Sequence, residues 1–203
     1  MKTWTCVLLG LLSAVPLAAG IMPPPGSTTV QPVFDKADIV CSCVVESATL
    51  ITRAGVGADG GYSKVIRVTA TVLEGFQAEP DHPGSIVFEL PSDPQLTAPW
   101  IQKGEKLLLF LSKGPAGVYE LTDRFIGLTR FSLPLPQTSG GAGLDKLQDA
   151  LAASLNQGNG DDQTHAMQLL EGFDPISPAT LSAVRPLASS ANAEIAFTAL
   201  AAC

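Results

Sequence analysis

Cys41 and Cys43, one residue apart in a chain of 203, are the side chains with the most chemistry to offer, because neighbouring thiolates hold soft metals and exchange disulfides. In extended backbone the two fall on one face of a strand roughly 6.5–7 Å apart, beyond the usual Cβ separation of a disulfide, so they are not expected to pair with each other. Cys6 belongs to the leader described below, which leaves Cys203 as the remaining partner for either, and an odd number cannot all pair. No third soft ligand lies near them in sequence, as a metal would require. The expectation is that both are small buried core residues.

The other reactive types are dispersed. His82 and His165 are the only histidines and occupy no metal spacing such as His-x-x-x-His. His82 sits in the loop Glu79-Pro80-Asp81-His82-Pro83 and His165 near a helix start, where both are expected to be solvated. Asn156 to Asp162 has the oxygen-rich side chains of a calcium loop but lacks the closing Glu; it reads better as a connection whose Asp162, or a neighbour, caps the next helix. Neither a Gly-x-Ser-x-Gly elbow nor a phosphate-binding glycine motif occurs. No catalytic residue, metal or cofactor is therefore expected. Phe76 and Trp100 are the candidates for lining a ligand site, although Trp100 has an alternative as a core plug, the commoner place for tryptophan.

These side chains need elements to position them, and composition sets the frame. A hydrophobic share of 46% is enough for a folded core, and the net charge of -7 comes without any Lys/Arg cluster, so a nucleic-acid partner is not expected. Residues 1–20 read as a signal peptide: Lys2 is basic, Cys6 to Leu17 are mostly apolar, and Ala18-Ala19-Gly20 is small. The apolar run is too short, and too quickly followed by Met22-Pro23-Pro24-Pro25-Gly26, to span a bilayer. A secreted or periplasmic product with no membrane insertion after cleavage is expected. Residues 21–33, rich in Pro, Gly, Ser and Thr, read as an extended linker.

Strand signals follow. From Ala37 to Ala48, Ile39, Cys41, Cys43 and Val45 alternate with Val40, Ser42, Val44 and Glu46, predicting a first strand buried on at least one face. Arg53 to Gly61 reads as a wide hairpin loop. Lys64 to Leu73 predicts a half-exposed second strand, with Ile66, Val68, Ala70 and Val72 on one face, ended by Glu74-Gly75. Ser85 to Leu90 predicts a third strand, and Lys106 to Leu111, apolar and bounded by Gly104 and Gly114, a central one. Val118 to Leu121 and Phe125 to Phe131 complete the set before Pro134 and Pro136.

Beyond Gly140-Gly141 the period changes to that of helices. Leu144, Leu147, Leu151 and Leu155 predict one, Met167 to Phe173 belong to a second, and Ser177-Pro178 opens a third that Pro186 should bend. Ala191 to Ala202 predicts a fourth.

The stretches Lys36-Ala37-Asp38-Ile39-Val40, Val65 to Gly75, Ser85 to Leu90 and Gly104-Glu105-Lys106 with the leucines behind them resemble the netrin-like domain, the oligonucleotide/oligosaccharide-binding (OB) barrel shared with tissue inhibitors of metalloproteinases. The resemblance implies an OB-like barrel of about five to six strands over residues 34–136; with the helical hairpins that the period predicts over residues 143–203, the chain is expected to be mainly β at the N-terminal side and α+β overall. The tail from Asp161 resembles HEAT-type repeats, which implies a repeat array cut short. Cys41-Ser42-Cys43 looks like the Cys-x-Cys with which animal metalloproteinase inhibitors begin, but that mechanism needs the first cysteine at the mature N-terminus, and here some twenty residues precede it after cleavage. Zinc chelation is not carried over. The functional expectation is an exported, non-enzymatic binding module for another protein; the alternative is an accessory or inhibitor domain acting on an exported protease or other hydrolase.

Overall fold

The computed structural model describes residues 30–54, 62–77, 84–93, 95–114, 117–124, 126–138, 143–157, 159–173, 175–190 and 196. The predicted signal peptide, most of the predicted linker, residues 55–61 of the predicted hairpin loop, His82, most of the fourth predicted helix and Cys203 lie outside the described residues.

Alternation of branched and polar side chains makes β1 (Ile39–Ala54) and β2 (Tyr62–Gln77) a long antiparallel pair, running in register from Val40↔Gln77 to Ala54↔Tyr62. Register shifts at Val40/Cys41, Ser42/Cys43 and Val45/Ser47 bend β1. The bend lets its first half, Ile39 to Val44, also pair with β4 (Lys106–Lys113). β3 (Ser85–Pro91) continues from β2 and meets β5 (Tyr119–Leu121) in parallel through Phe88↔Tyr119 and Glu89↔Glu120. β5 and β6 (Leu128–Phe131) take successive halves of β4. Among the described residues this is a six-stranded mixed sheet, five of whose strands close into a ring in the order β1–β2–β3–β5–β4, with four α-helices beside it. The architecture is α+β.

β4 is the central strand the sequence predicts, because both of its faces are apolar. Leu107, Leu109 and Leu111 join Ile39, Cys41, Cys43 and Val45 of β1, and the alternate residues of β2 and β3, in a core within the ring. Leu108 and Phe110 point the other way, with Val40 and Phe76, into a second core capped by helices. Full burial of each such side chain contributes about 1.5–3 kcal/mol before entropy.

The helical layer is built on apolar stripes. α1 (Val30–Lys36) buries Val30, Val33 and Phe34, spaced i, i+3, i+4, with Pro32 tolerated in the first turn. α2 (Gly143–Ser154) buries Leu147, Ala150 and Leu151, and α3 (Gly160–Leu170) buries Ala166, Met167, Leu169 and Leu170. α4 (Pro178–Val184) starts at Ser177, whose hydroxyl accepts from the Thr180 N–H at 3.1 Å, and changes to a tighter 3-10 turn at Arg185–Ser189 around Pro186.

Several boundaries differ from those the sequence predicts. β1 runs on to Ala54, with Arg53 and Ala54 paired to Ser63 and Tyr62, where a strand ending at Ala48 and a loop from Arg53 are expected, because β2 supplies a partner strand for these residues. The predicted linker runs to residue 33, yet its described residues from Val30 onward are already packed in α1, because the apolar stripe of that helix outweighs its proline-rich composition. Glu74-Gly75 does not end β2, which continues to Gln77 with Gly75 opposite Cys41. The helical layer holds this extension: Lys146 of α2 donates to the Gly75 carbonyl at 3.1 Å and pairs with Glu74, while Phe76 is buried beneath the helices.

Candidate functional site

Phe76 and Trp100, the two candidate ligand-lining residues, are not brought together. Phe76 is 1% exposed within the helix-capped core and lines nothing accessible. Its position follows from the extra residues of β2, which carry it under the helical layer rather than to a loop. Trp100 does not plug the core either: its neighbour Ile101 is the buried residue, at 2%, and Trp100 stands 40% exposed.

A fixed frame surrounds Trp100. Gly104 turns with a φ of 91°, a left-handed backbone that favours glycine, and its N–H donates to the Val45 carbonyl at 2.8 Å. The next residue, Glu105, accepts from the Gln102 N–H at 2.9 Å through Oε1, leaving Oε2 to receive Nε of Arg130 at 2.7 Å. Arg130 is set on β6 opposite Leu107. Its guanidinium carbon lies 5.0 Å from the Trp100 ring centroid, within cation–π range, and its Nη2 donates to the Trp100 carbonyl at 3.4 Å. The Arg130 carbonyl accepts from Nδ1 of His165, 2.9 Å away, so that ring nitrogen carries a proton. The His165 ring also stands edge-on to Phe131 at 6.2 Å. His165 is thus half-buried against β6, not solvated as the sequence suggested, because α3 docks on that strand.

A second polar group was not legible in the sequence. Glu89 on β3 is 5% exposed, and its Oε1 accepts from Arg53 Nη2 at 2.9 Å and from Nε and Nη2 of Arg67 at 3.1 and 2.8 Å. Register accounts for part of this, since Arg67 and Glu89 are cross-strand partners. Two guanidiniums on one carboxylate oxygen form a charge cluster that ties three strands together. Glu120 of β5 is registered beside Glu89, so the row carries opposing charges rather than a positive patch.

Cys41 and Cys43 are both fully buried inside the ring, and neither forms a disulfide among the described residues. A hydrogen bond with the Cys41 side chain, then burial, push the Cys43 thiol far above its ordinary value, leaving it protonated and unreactive at neutral pH. The Asn156–Asp162 connection also takes the simpler of its two readings. Asn159 is the cap, its Oδ1 accepting from the N–H groups of Asp161 and Asp162, while Asp162 turns inward to the segment after β6. No group of three or more His, Cys, Asp or Glu residues suited to a metal ion occurs among the described residues, and no described helix is long and apolar enough to cross a membrane.

The exposed Trp100 with Arg130 over its ring is the best-defined functional candidate: an aromatic face and a planar cation, the cation held by the Glu105 carboxylate next to the Gly104 turn. No protein-family model matches the chain, and no curated protein matches it at a significant level.

Proposed function

We propose that this protein is an exported, non-enzymatic binding module that recognises another protein through the Trp100–Arg130 surface. The observation that carries the reading is the pairing itself: a tryptophan 40% exposed and prefixed against an arginine that is ion-paired to Glu105. Trp and Arg are enriched among the residues that dominate protein–protein affinity, and side chains already held in place lose less entropy on binding. The ring supports the fold half of the proposal. Its order β1–β2–β3–β5–β4, closed by β1 on β4 with β3 and β5 parallel, suits a five-stranded OB-type barrel of the netrin-like kind. Burial of Cys41 and Cys43 within β1 fits a barrel strand rather than a zinc-chelating N-terminus.

The test is capture of extracytoplasmic proteins by the immobilised wild-type protein, compared with Trp100→Ala, Arg130→Ala and, as a control on an exposed apolar residue of β3, Val87→Ala. A protein retained by the wild type and by Val87→Ala but lost from the other two supports the reading. Retention by Trp100→Ala at wild-type yield rejects this surface.

A further inference from the structure

The connection Asn156–Asp162 contains the only Asn-Gly dipeptide of the chain, Asn159-Gly160, and both residues are exposed. Asn-Gly is the sequence most prone to intramolecular deamidation, because glycine offers no side chain to hinder its amide nitrogen. That nitrogen attacks Cγ of the asparagine, the Cγ–Nδ2 bond breaks, and ammonia leaves with the displaced proton. Water then opens the five-membered imide at either carbonyl, giving aspartate or isoaspartate. The sum is exchange of an NH2 group for OH, with water the only co-reactant.

What the structure adds is where both ends of this amide are held. Oδ1 of Asn159 accepts from the N–H groups of Asp161 and Asp162 at 3.1 and 3.0 Å. Nδ2, the leaving group, donates to the Ser132 hydroxyl at 3.1 Å. That hydroxyl has a single proton, and it goes to Oδ2 of Asp162 at 2.5 Å. Ser132 Oγ can therefore accept from position 159 but has no second proton to give. An asparagine amide satisfies it; a carboxylate does not, and would stand beside the Asp162 carboxylate across the same oxygen. Asp162 in turn receives the Ser132 N–H at 2.7 Å and the Leu133 N–H at 3.3 Å, so the same group anchors α3 to the chain leaving β6.

We infer that Asn159-Gly160 is a modification site whose deamidation is held back while α3 is docked on Ser132 and, once it has occurred, weakens that docking. The joint is thus a one-way chemical record of α3 undocking. The cap alone does not account for the second effect, because Asp caps a helix as well as Asn.

The experiment incubates the full chain at mildly alkaline pH and follows the mass gain and the isoaspartate at residue 159 by peptide mapping, in native protein and in denaturant. The expected result is a many-fold slower reaction in the native protein. Ser132→Ala frees Nδ2 and also removes the hydroxyl bond to Asp162, while leaving the helix cap and the backbone N–H bonds to Asp162 in place. It should speed the native reaction at least roughly fivefold, the effect of one ordinary hydrogen bond on the open population. Asn159→Asp, made directly, should melt below the wild type, and this difference should shrink in the Ser132→Ala background. Equal rates in native and denatured protein, an unchanged rate in Ser132→Ala, or an Asn159→Asp protein that melts with the wild type would each overturn the inference.

Discussion

Asp162 on α3 accepts both the backbone N–H and the hydroxyl of Ser132, at 2.7 and 2.5 Å, across a separation of 30 residues in sequence. With only 3% exposure, this carboxylate is the polar bolt between the helical layer and the end of β6. Asp162→Ala leaves the Ser132 and Leu133 N–H groups without it, and charge-assisted bonds of this kind are the costly ones to remove. The expected loss is about 2–4 kcal/mol in denaturant unfolding. Asp162→Asn, which keeps an acceptor but not the charge, should lose about half as much.

Glu89 sets a second test. Replacing it by Gln keeps the shape and leaves two guanidiniums facing each other with one charge fewer between them. Arg67 is nearly half exposed, so solvent absorbs part of the change, and the expected destabilisation is about 1–3 kcal/mol. The loss should be larger at low ionic strength, because salt screens the repulsion between Arg53 and Arg67. Urea midpoints at two salt concentrations check both statements.

The buried thiols predict a pH dependence. Cys43 is raised above its ordinary value by its hydrogen bond with Cys41 and by burial, so the folded chain keeps a proton that the unfolded chain releases. The sign follows: this contribution is complete below the unfolded thiol value, about 8.5, and declines as the pH rises above it. Cys43→Ala should flatten the alkaline limb of the stability curve. In the same pH range, alkylation of Cys43 should be slow in native protein and fast in denaturant.

Ser42 lies between the two cysteines and is 2% exposed, and its hydroxyl has no hydrogen-bond partner among the described residues. Ser42→Ala removes a buried polar atom at almost no cost in packing. The expected effect lies between neutral and about 1 kcal/mol of stabilisation. A lowered urea midpoint for this variant would contradict the environment described.

Much of the ring was legible because strand signals are local. The alternation in β1 and β3, the apolar run of β4 and the Ser177-Pro178 start of α4 all occur at the residues that carry them. The burial of Cys41 and Cys43 followed from the same alternation. The candidate site was less legible. Trp100 and Ile101 are adjacent in a loop, and nothing in their order says which turns inward. The partners of Trp100 and Glu89 come from separate strands: Arg130 lies 30 residues after Trp100, and Arg53 lies 36 before Glu89.

By itself, then, the sequence determined the periodicities, and through them which segments become strands and helices and which faces are apolar. Tertiary structure alone decided the extension of β2 past Gly75, the early start of α1, the inward turn of Asp162 and the exposure of Trp100. The physical reason is the same in each case: these outcomes depend on whether a second element arrives to cover an apolar face or satisfy a polar group, and that arrival is a property of the closed ring and its helical layer, not of neighbours along the chain.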